Sequence, residues 1–186
     1  MKNMFLALHL IALTAAPAWA AEDAFKAFVT GNVAGWMANP AVQAALTAAN
    51  TAHASLSEPE ILDLDTQWRA EIGTGATPLI DSVMTAPVSN YLREIVAQSQ
   101  GAIAEIILMD SRGLNAGVSA VTSDYWQGDE AKYQNTFAVG VGAIDMSDVE
   151  LDESTGTYVV QVSVPVQDSA GALVGAATFS LDAERF

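Results

Sequence analysis

The chain has 186 residues, with 22 acidic against 7 basic side chains, a formal charge of −15 and no cysteine. Such a surface repels nucleic acid and anionic membrane faces, both of which are recognised through clustered Lys and Arg. Without cysteines an exported chain must be held together by burial alone, and the length suits one domain with a real core.

Lys2 supplies a positive start, Met4 to Ala16 an apolar stretch, and Ala18-Trp19-Ala20 a small-x-small cleavage site. This order of parts predicts a secretory signal peptide over residues 1–20, cleaved before Ala21. Pro17 and Glu22-Asp23 cut the apolar stretch below the roughly 18 residues that a membrane span needs. The expected location is a bacterial periplasm or cell exterior, with no membrane span left after cleavage.

Residues 21–101 read as helical. Ala24, Phe25, Phe28, Val29, Val33 and Trp36 recur at three- and four-residue steps, and Asn39-Pro40 interrupts that helix. The stripe serves equally well as an intramolecular face or as the face of a homodimer. Pro40 opens a second helix through Val42 and Leu46. Ser57 is a candidate N-cap, with Glu58 and Glu60 in the first turn, for a third helix that carries Ile61, Leu64, Trp68 and Ile72. Gly73-Thr74-Gly75 ends it. A fourth, broken or restarted at Pro87, carries Val88, Leu92 and Ile95 and stops near Gly101.

Residues 102–186 follow the grammar of strands and form one domain with the helices before them. Ile103 to Met109 is almost continuously apolar and ends in the turn signature Asp110-Ser111-Arg112-Gly113, followed by a short strand around Leu114 to Val121. Tyr158, Val160, Val162, Val164 and Val166 alternate strictly, so that face is expected in the core. Asp152 to Gly156 and Asp168-Ser169-Ala170-Gly171 are hairpin turns on either side, and Ala172 to Leu181 forms the last strand. Pro165 suits an edge or a bulge. The acidic run Asp145 to Glu153 lacks an ordered calcium-loop pattern and reads as a solvated connection. Helices first and an antiparallel sheet afterwards predict an α+β domain, with the helices on one face of the sheet.

The order helix, strand, Asp-x-x-Gly turn, strand, then Ser123-Asp124-Tyr125-Trp126-Gln127-Gly128-Asp129-Glu130, hairpin, and Pro165-Val166-Gln167-Asp168-Ser169-Ala170-Gly171-Ala172-Leu173-Val174-Gly175 resembles the single Cache family of extracytoplasmic sensor domains. The resemblance covers the last half of the chain and the preceding helix by position. It implies a PAS-like sheet whose concave face, with the loop Thr122 to Gln134, encloses a small ligand such as a carboxylate, an amino acid or another metabolite. It makes Asp168 a candidate for a ligand amine, although Asp-Ser-Ala-Gly is also a good turn. Such domains signal through a membrane helix. This sequence ends at Phe186 without one, so a freestanding component is expected, with a membrane receptor or kinase as its partner.

The loop offers its own chemistry. Tyr125, Trp126 and Tyr133 supply flat faces, Asp124, Asp129 and Glu130 carboxylates, and Lys132 with Arg112 two of the few cations beyond Gly101. An ammonium ligand would use acid and ring together, and a carboxylate would use Arg112 or Lys132. The competing reading has Asp129 and Glu130 capping a short helix, Trp126 filling the core, and both cations solvated or paired. Tyr125, Trp126 and Lys132 are the first candidates for contact, with Asp124, Tyr133, Arg112 and Asp168 behind them.

Catalysis finds little support. Beyond the leader His53 is the sole histidine, in an alanine-rich helical stretch that suggests a surface position, and no second histidine or cysteine joins it for a metal site or a triad. No cofactor is expected. Two readings remain, a small-molecule binding module without catalysis and a protein-interaction or structural component with an exposed apolar patch.

Overall fold

The computed structural model describes residues 18–152 and 156–186, with side chains from residue 21 onward. The leader expected over residues 1–20 thus falls largely outside the described residues, as does most of the turn expected from Asp152 to Gly156. Five helices precede the sheet: α1 (Ala18–Met37), α2 (Pro40–His53), α3 (Glu58–Glu71), α4 (Pro78–Met84) and α5 (Pro87–Gln98). Four of them carry proline in the first turn, where its missing N–H has no intrahelical partner to lose.

The starts of α2 and α3 are capped from nearby sequence. Asn39 Oδ1 accepts from Ala41 N at 2.8 Å. The Glu60 carboxylate accepts from the Ser57 hydroxyl at 2.6 Å and the Ser57 N–H at 2.8 Å, which together hold it below its usual carboxylate range. At α4 the cap comes from another helix: Glu71 accepts from the N–H groups of Leu79 and Ile80, each at 2.9 Å. Its burial works against the charge, yet those two amides and the Gln67 side chain keep its carboxyl lowered.

The strands are β1 (Ile103–Asp110), β2 (Asn115–Val118), β3 (Asp145–Met146), β4 (Glu150–Asp152), β5 (Thr157–Gln167) and β6 (Leu173–Asp182), and a short helix α6 (Ala131–Gln134) lies between β2 and β3. All pairings are antiparallel, in the order β2-β1-β6-β5-β3, with β4 also on β5. The architecture is α+β, with helices packed on the sheet. Because side chains alternate along a strand, Ile106 and Leu108, the four valines from Val160 to Val166, and Ala177, Phe179 and Leu181 fill one core with α1, α2 and α5. The other face carries Ile107, Met109 and Ala176 in a second core with Tyr125, Tyr133 and Trp68.

The stripe of α1 is spent on this chain's own sheet. Phe25 and Val29 are buried, Trp36 lies 5.3 Å from Phe179, and Phe25 and Phe28 meet Phe186 at 4.9 and 5.2 Å. Each such side chain contributes roughly 1.5–3 kcal/mol of burial. Pro165 pairs with Ala176 on β6, while β3 reaches only Ser163 on the opposite edge of β5, so the proline sits where no ladder donor is needed.

One sequence expectation fails and another is met in part. Tyr158 is 53 % exposed although it continues the valine face, because β5 there pairs only with β4, whose facing Leu151 is exposed as well. The acidic run from Asp145 is solvated as expected, its described residues being exposed or half-buried, but it is more than a connection, because β3 and β4 both pair along β5 within it.

Candidate functional site

The loop from Thr122 to Gln134 is pinned by α3. Asp65, 7 % exposed, accepts from the N–H groups of Tyr125 at 2.9 Å and Trp126 at 3.0 Å and pairs with Arg69 at 2.8 Å. Trp68, fully buried, donates from Nε1 to Thr122 O at 2.8 Å and stacks on Tyr125 at 5.3 Å. Trp126 is half-buried, and its Nε1 donates to Arg112 O at 2.9 Å. The chain turns back beneath its ring at Gly128, where a Cβ would fall 2.3 Å from that nitrogen.

The candidate contact residues are dispersed. Tyr125 and Tyr133 are buried; the Tyr133 hydroxyl donates to Ser111 O at 2.7 Å, and its ring stacks on Phe137. Arg112 caps the chain leaving α2, donating to Leu56 O at 2.9 Å and to the His53 and Ala54 carbonyls at 3.4 Å. Asp124 accepts from Gln127 Nε2 at 2.6 Å and faces Arg69 at 3.6 Å. Asp168 folds its own turn, accepting from Ala170 N and Ala172 N at 2.9 Å. Glu130 stands at the start of α6 without capping it through its side chain, and Asp129 is exposed.

Lys132 stands apart. Its side chain is 13 % exposed, with Nζ 3.0 Å from Glu130 Oε2 and 3.2 Å from Gln127 Oε1. It lies on the sheet face that α6 covers, and that face turns polar toward the far end of β1. Glu105, Gln161, Ser163, Thr178 and Ser180 occupy facing register positions on β1, β5 and β6. The Ser163 and Thr178 hydroxyls share a buried hydrogen bond of 2.9 Å. Burial first, and the Asp152 charge with it, push the Glu105 carboxyl up to about 7 against the pull of Lys132. A cleft of about 270 Å³ opens beside this face, lined by Glu130, Lys132, Asp145, Ser147, Glu150 and Gln161. One cation and several carboxylates therefore face a space of small-molecule size.

Sequence reasoning missed most of this polar face. Glu105 carried a signal, as the lone acid in the apolar run from Ile103 to Met109; Ser163, Thr178 and Ser180 become a group only when β5 and β6 pair. The expectation for His53 is corrected. Its side chain is 15 % exposed, and its Nδ1 lies 2.5 Å from Oδ2 of Asp110, which is fully buried. Asp110 Oδ1 accepts from Arg112 N at 2.8 Å and Leu114 N at 3.0 Å, so this acid organises the β1–β2 turn from inside. Among the described residues no three His, Asp or Glu side chains converge as metal ligands.

No protein-family model matches the chain, and no curated protein does. Among solved structures it is similar to the ligand-binding domain of the Campylobacter jejuni chemoreceptor Tlp3 in complex with 4-methylisoleucine, at 14 % identity over 90 % of this chain and 56 % of that one, with a TM-score of 0.43. It is also similar to the ligand-binding domain of the Pseudomonas aeruginosa PAO1 amino acid chemoreceptor PctC in complex with GABA, at 18 % identity, 68 % and 57 % coverage and a TM-score of 0.40. A third is the Escherichia coli DcuS sensor domain, at 11 % identity, 68 % and 89 % coverage and a TM-score of 0.40. The chain spans about half the length of the first two.

Proposed function

We propose that the protein is an exported, sensor-like binding domain without catalysis whose ligand is a small amino-acid-class zwitterion, held in the cleft beside α6. The observation that carries this is the placing of Lys132, at 13 % exposure, in a cleft lined also by Glu130, Asp145 and Glu150, with its charge acting on Glu105 of the adjoining sheet face. A carboxylate finds its counter-charge at Lys132, and an ammonium group finds carboxylates across the same space. A simple dicarboxylate would meet that acidic lining with one cation to hold it, so the zwitterion is the better match within the carboxylate and amino acid class. The arrangement agrees with what the Cache resemblance implies, a ligand between a sheet face and the loop that crosses it.

The test is a thermal-shift and calorimetric screen of the protein against amino acids, organic acids and amines. An amino acid at about a hundred times its Kd should add roughly 2.7 kcal/mol of stability, and Lys132→Ala should weaken its binding at least tenfold. An ammonium group in the cleft adds positive charge near Lys132, which already pulls on the Glu105 carboxyl, and lowers that carboxyl's affinity for its proton. Binding near pH 7 should then release protons, seen as a heat that changes with the ionisation enthalpy of the buffer. A response to organic acids alone, or to no class, would overturn the reading.

The interaction reading has its own observation. Val139, Val141, Val149, Leu151 and Tyr158 are each more than half exposed, from the segment after α6 to the start of β5. A signalling partner such as a membrane receptor or kinase is proposed for that region. Among the described residues no helix is long and apolar enough to cross a membrane.

A further inference from the structure

The sheet ends in an edge with two unlike faces. β3 and β4 run along the same side of β5, and β4 pairs with β5 alone, so among the described residues its outer side carries no strand. Leu151 stands opposite Tyr158 in the register, and both side chains are more than half exposed, as is that of Val149 just before the strand. Glu150 projects to the other face by alternation, where it lines the α6 cleft together with Asp145 of β3. One face of this edge is therefore apolar and the other acidic.

The charge along it has one sign. From Tyr133 to Glu184 the sequence contains no Lys or Arg, while Asp145, Asp148, Glu150 and Asp152 crowd the edge itself. Lys132, which lines the same cleft as Glu150, is mostly buried and held by Glu130 at 3.0 Å. An unpaired edge ordinarily invites a second copy of the same chain. Here two copies would set Asp148 and Glu150 against further carboxylates, and like charges directly opposite one another destabilise a strand pair. The acids that repel a second copy attract an incoming strand that carries cations, which is how a repulsive element gives an interface its specificity.

We infer that the β4 edge is a docking site for an extended protein segment that alternates basic and apolar residues and adds a strand to the sheet. The inference rests on the reading of this exposed region as an interaction surface, and it names the chemistry of the partner. The main chain of the added strand supplies hydrogen bonds, its apolar residues lie against Leu151 and Tyr158, and its Lys or Arg residues face Glu150 and Asp145. Because successive side chains of a strand point to opposite faces, the edge recognises the alternation, and neither charge nor hydrophobicity suffices alone.

The probe is the peptide Lys-Val-Lys-Val-Lys-Val-Lys, compared with Glu-Val-Glu-Val-Glu-Val-Glu and with the basic peptide's own residues in block order. Each is titrated by calorimetry and NMR into the protein and into Leu151→Ser and Glu150→Lys variants, at about 0.15 M salt to screen general attraction. Leu151 and Glu150 are exposed, so neither change enters the core. The expected result is saturable binding of the alternating basic peptide, with amide shifts and slowed amide exchange centred on Val149, Leu151 and Tyr158. That binding should weaken at least fivefold in Leu151→Ser and at least tenfold in Glu150→Lys, and the other two peptides should bind at least tenfold more weakly. Equal shifts at β4 from the acidic or the block-order peptide would overturn the basic-strand assignment and leave the interaction surface standing. No shift at these residues from any of the three would overturn both. A dimer of the protein alone in sedimentation, lost in Leu151→Ser, would give the edge to a second copy and overturn the assignment.

Discussion

Glu105 shows how one residue couples the fold to pH. Its folded carboxyl titrates near 7 against an ordinary value of 4.5, chiefly because it is buried. A raised carboxyl means that the folded state holds its proton more tightly than the unfolded chain does. Stability from this residue is therefore greatest below about pH 4.5 and is lost as pH rises through about 7. Glu105→Gln should match the wild type at pH 4 and exceed it at pH 8 by on the order of 3 kcal/mol, measured as urea-unfolding curves across that range; parallel profiles would contradict the assignment. The position was legible as a lone acid in an apolar run, but its role was not, since Lys132, Asp152 and Ser180 reach it only through the folded sheet. His53 was illegible for a similar reason. An alanine-rich helix suggests a solvated histidine, whereas its partner Asp110 lies 57 residues further on.

Among the elements, helix starts and strand faces were written locally and read accordingly. Ser57 with Glu60, the prolines in first turns and the alternating valines each report on neighbours within a few residues. Glycines divide by what lies across from them, which local sequence does not show. A Cβ at Gly175 would fall 2.1 Å from Met109 O and 2.9 Å from Leu46 Cδ2, because β1, β6 and α2 converge there. Gly175→Ala should cost at least about 2 kcal/mol through backbone displacement. In α1, a Cβ at Gly35 would meet nothing within 4 Å, and Gly35→Ala should stabilise by about 0.5–1 kcal/mol through helix propensity. Chemical denaturation of the two variants checks both signs. The cluster read as one contact loop also separated at this level: Tyr125 stacks on Trp68, Lys132 faces the α6 cleft, and Arg112 closes the end of α2.

At the scale of the whole molecule, a formal charge of −15 opposes compaction. Screening it should stabilise the fold, so the Tm should rise as NaCl goes from about 0.01 to 0.15 M, where the Debye length falls from about 30 to 8 Å. A Tm that falls over this range would show that attractive pairs such as Asp65–Arg69 outweigh the repulsion. By itself the sequence determined the acidic surface, the order of helices and strands, and the α+β class. Composition, caps, prolines and periodicity act over one or two turns of chain, and they are present in the sequence whatever the rest of the chain does. Only the tertiary structure decided that α1 spends its stripe on its own sheet, that His53 meets Asp110, and that Glu105 lies near Lys132. Those pairings join residues far apart in sequence, and their energies depend on burial and distance, quantities that exist only once the chain has folded.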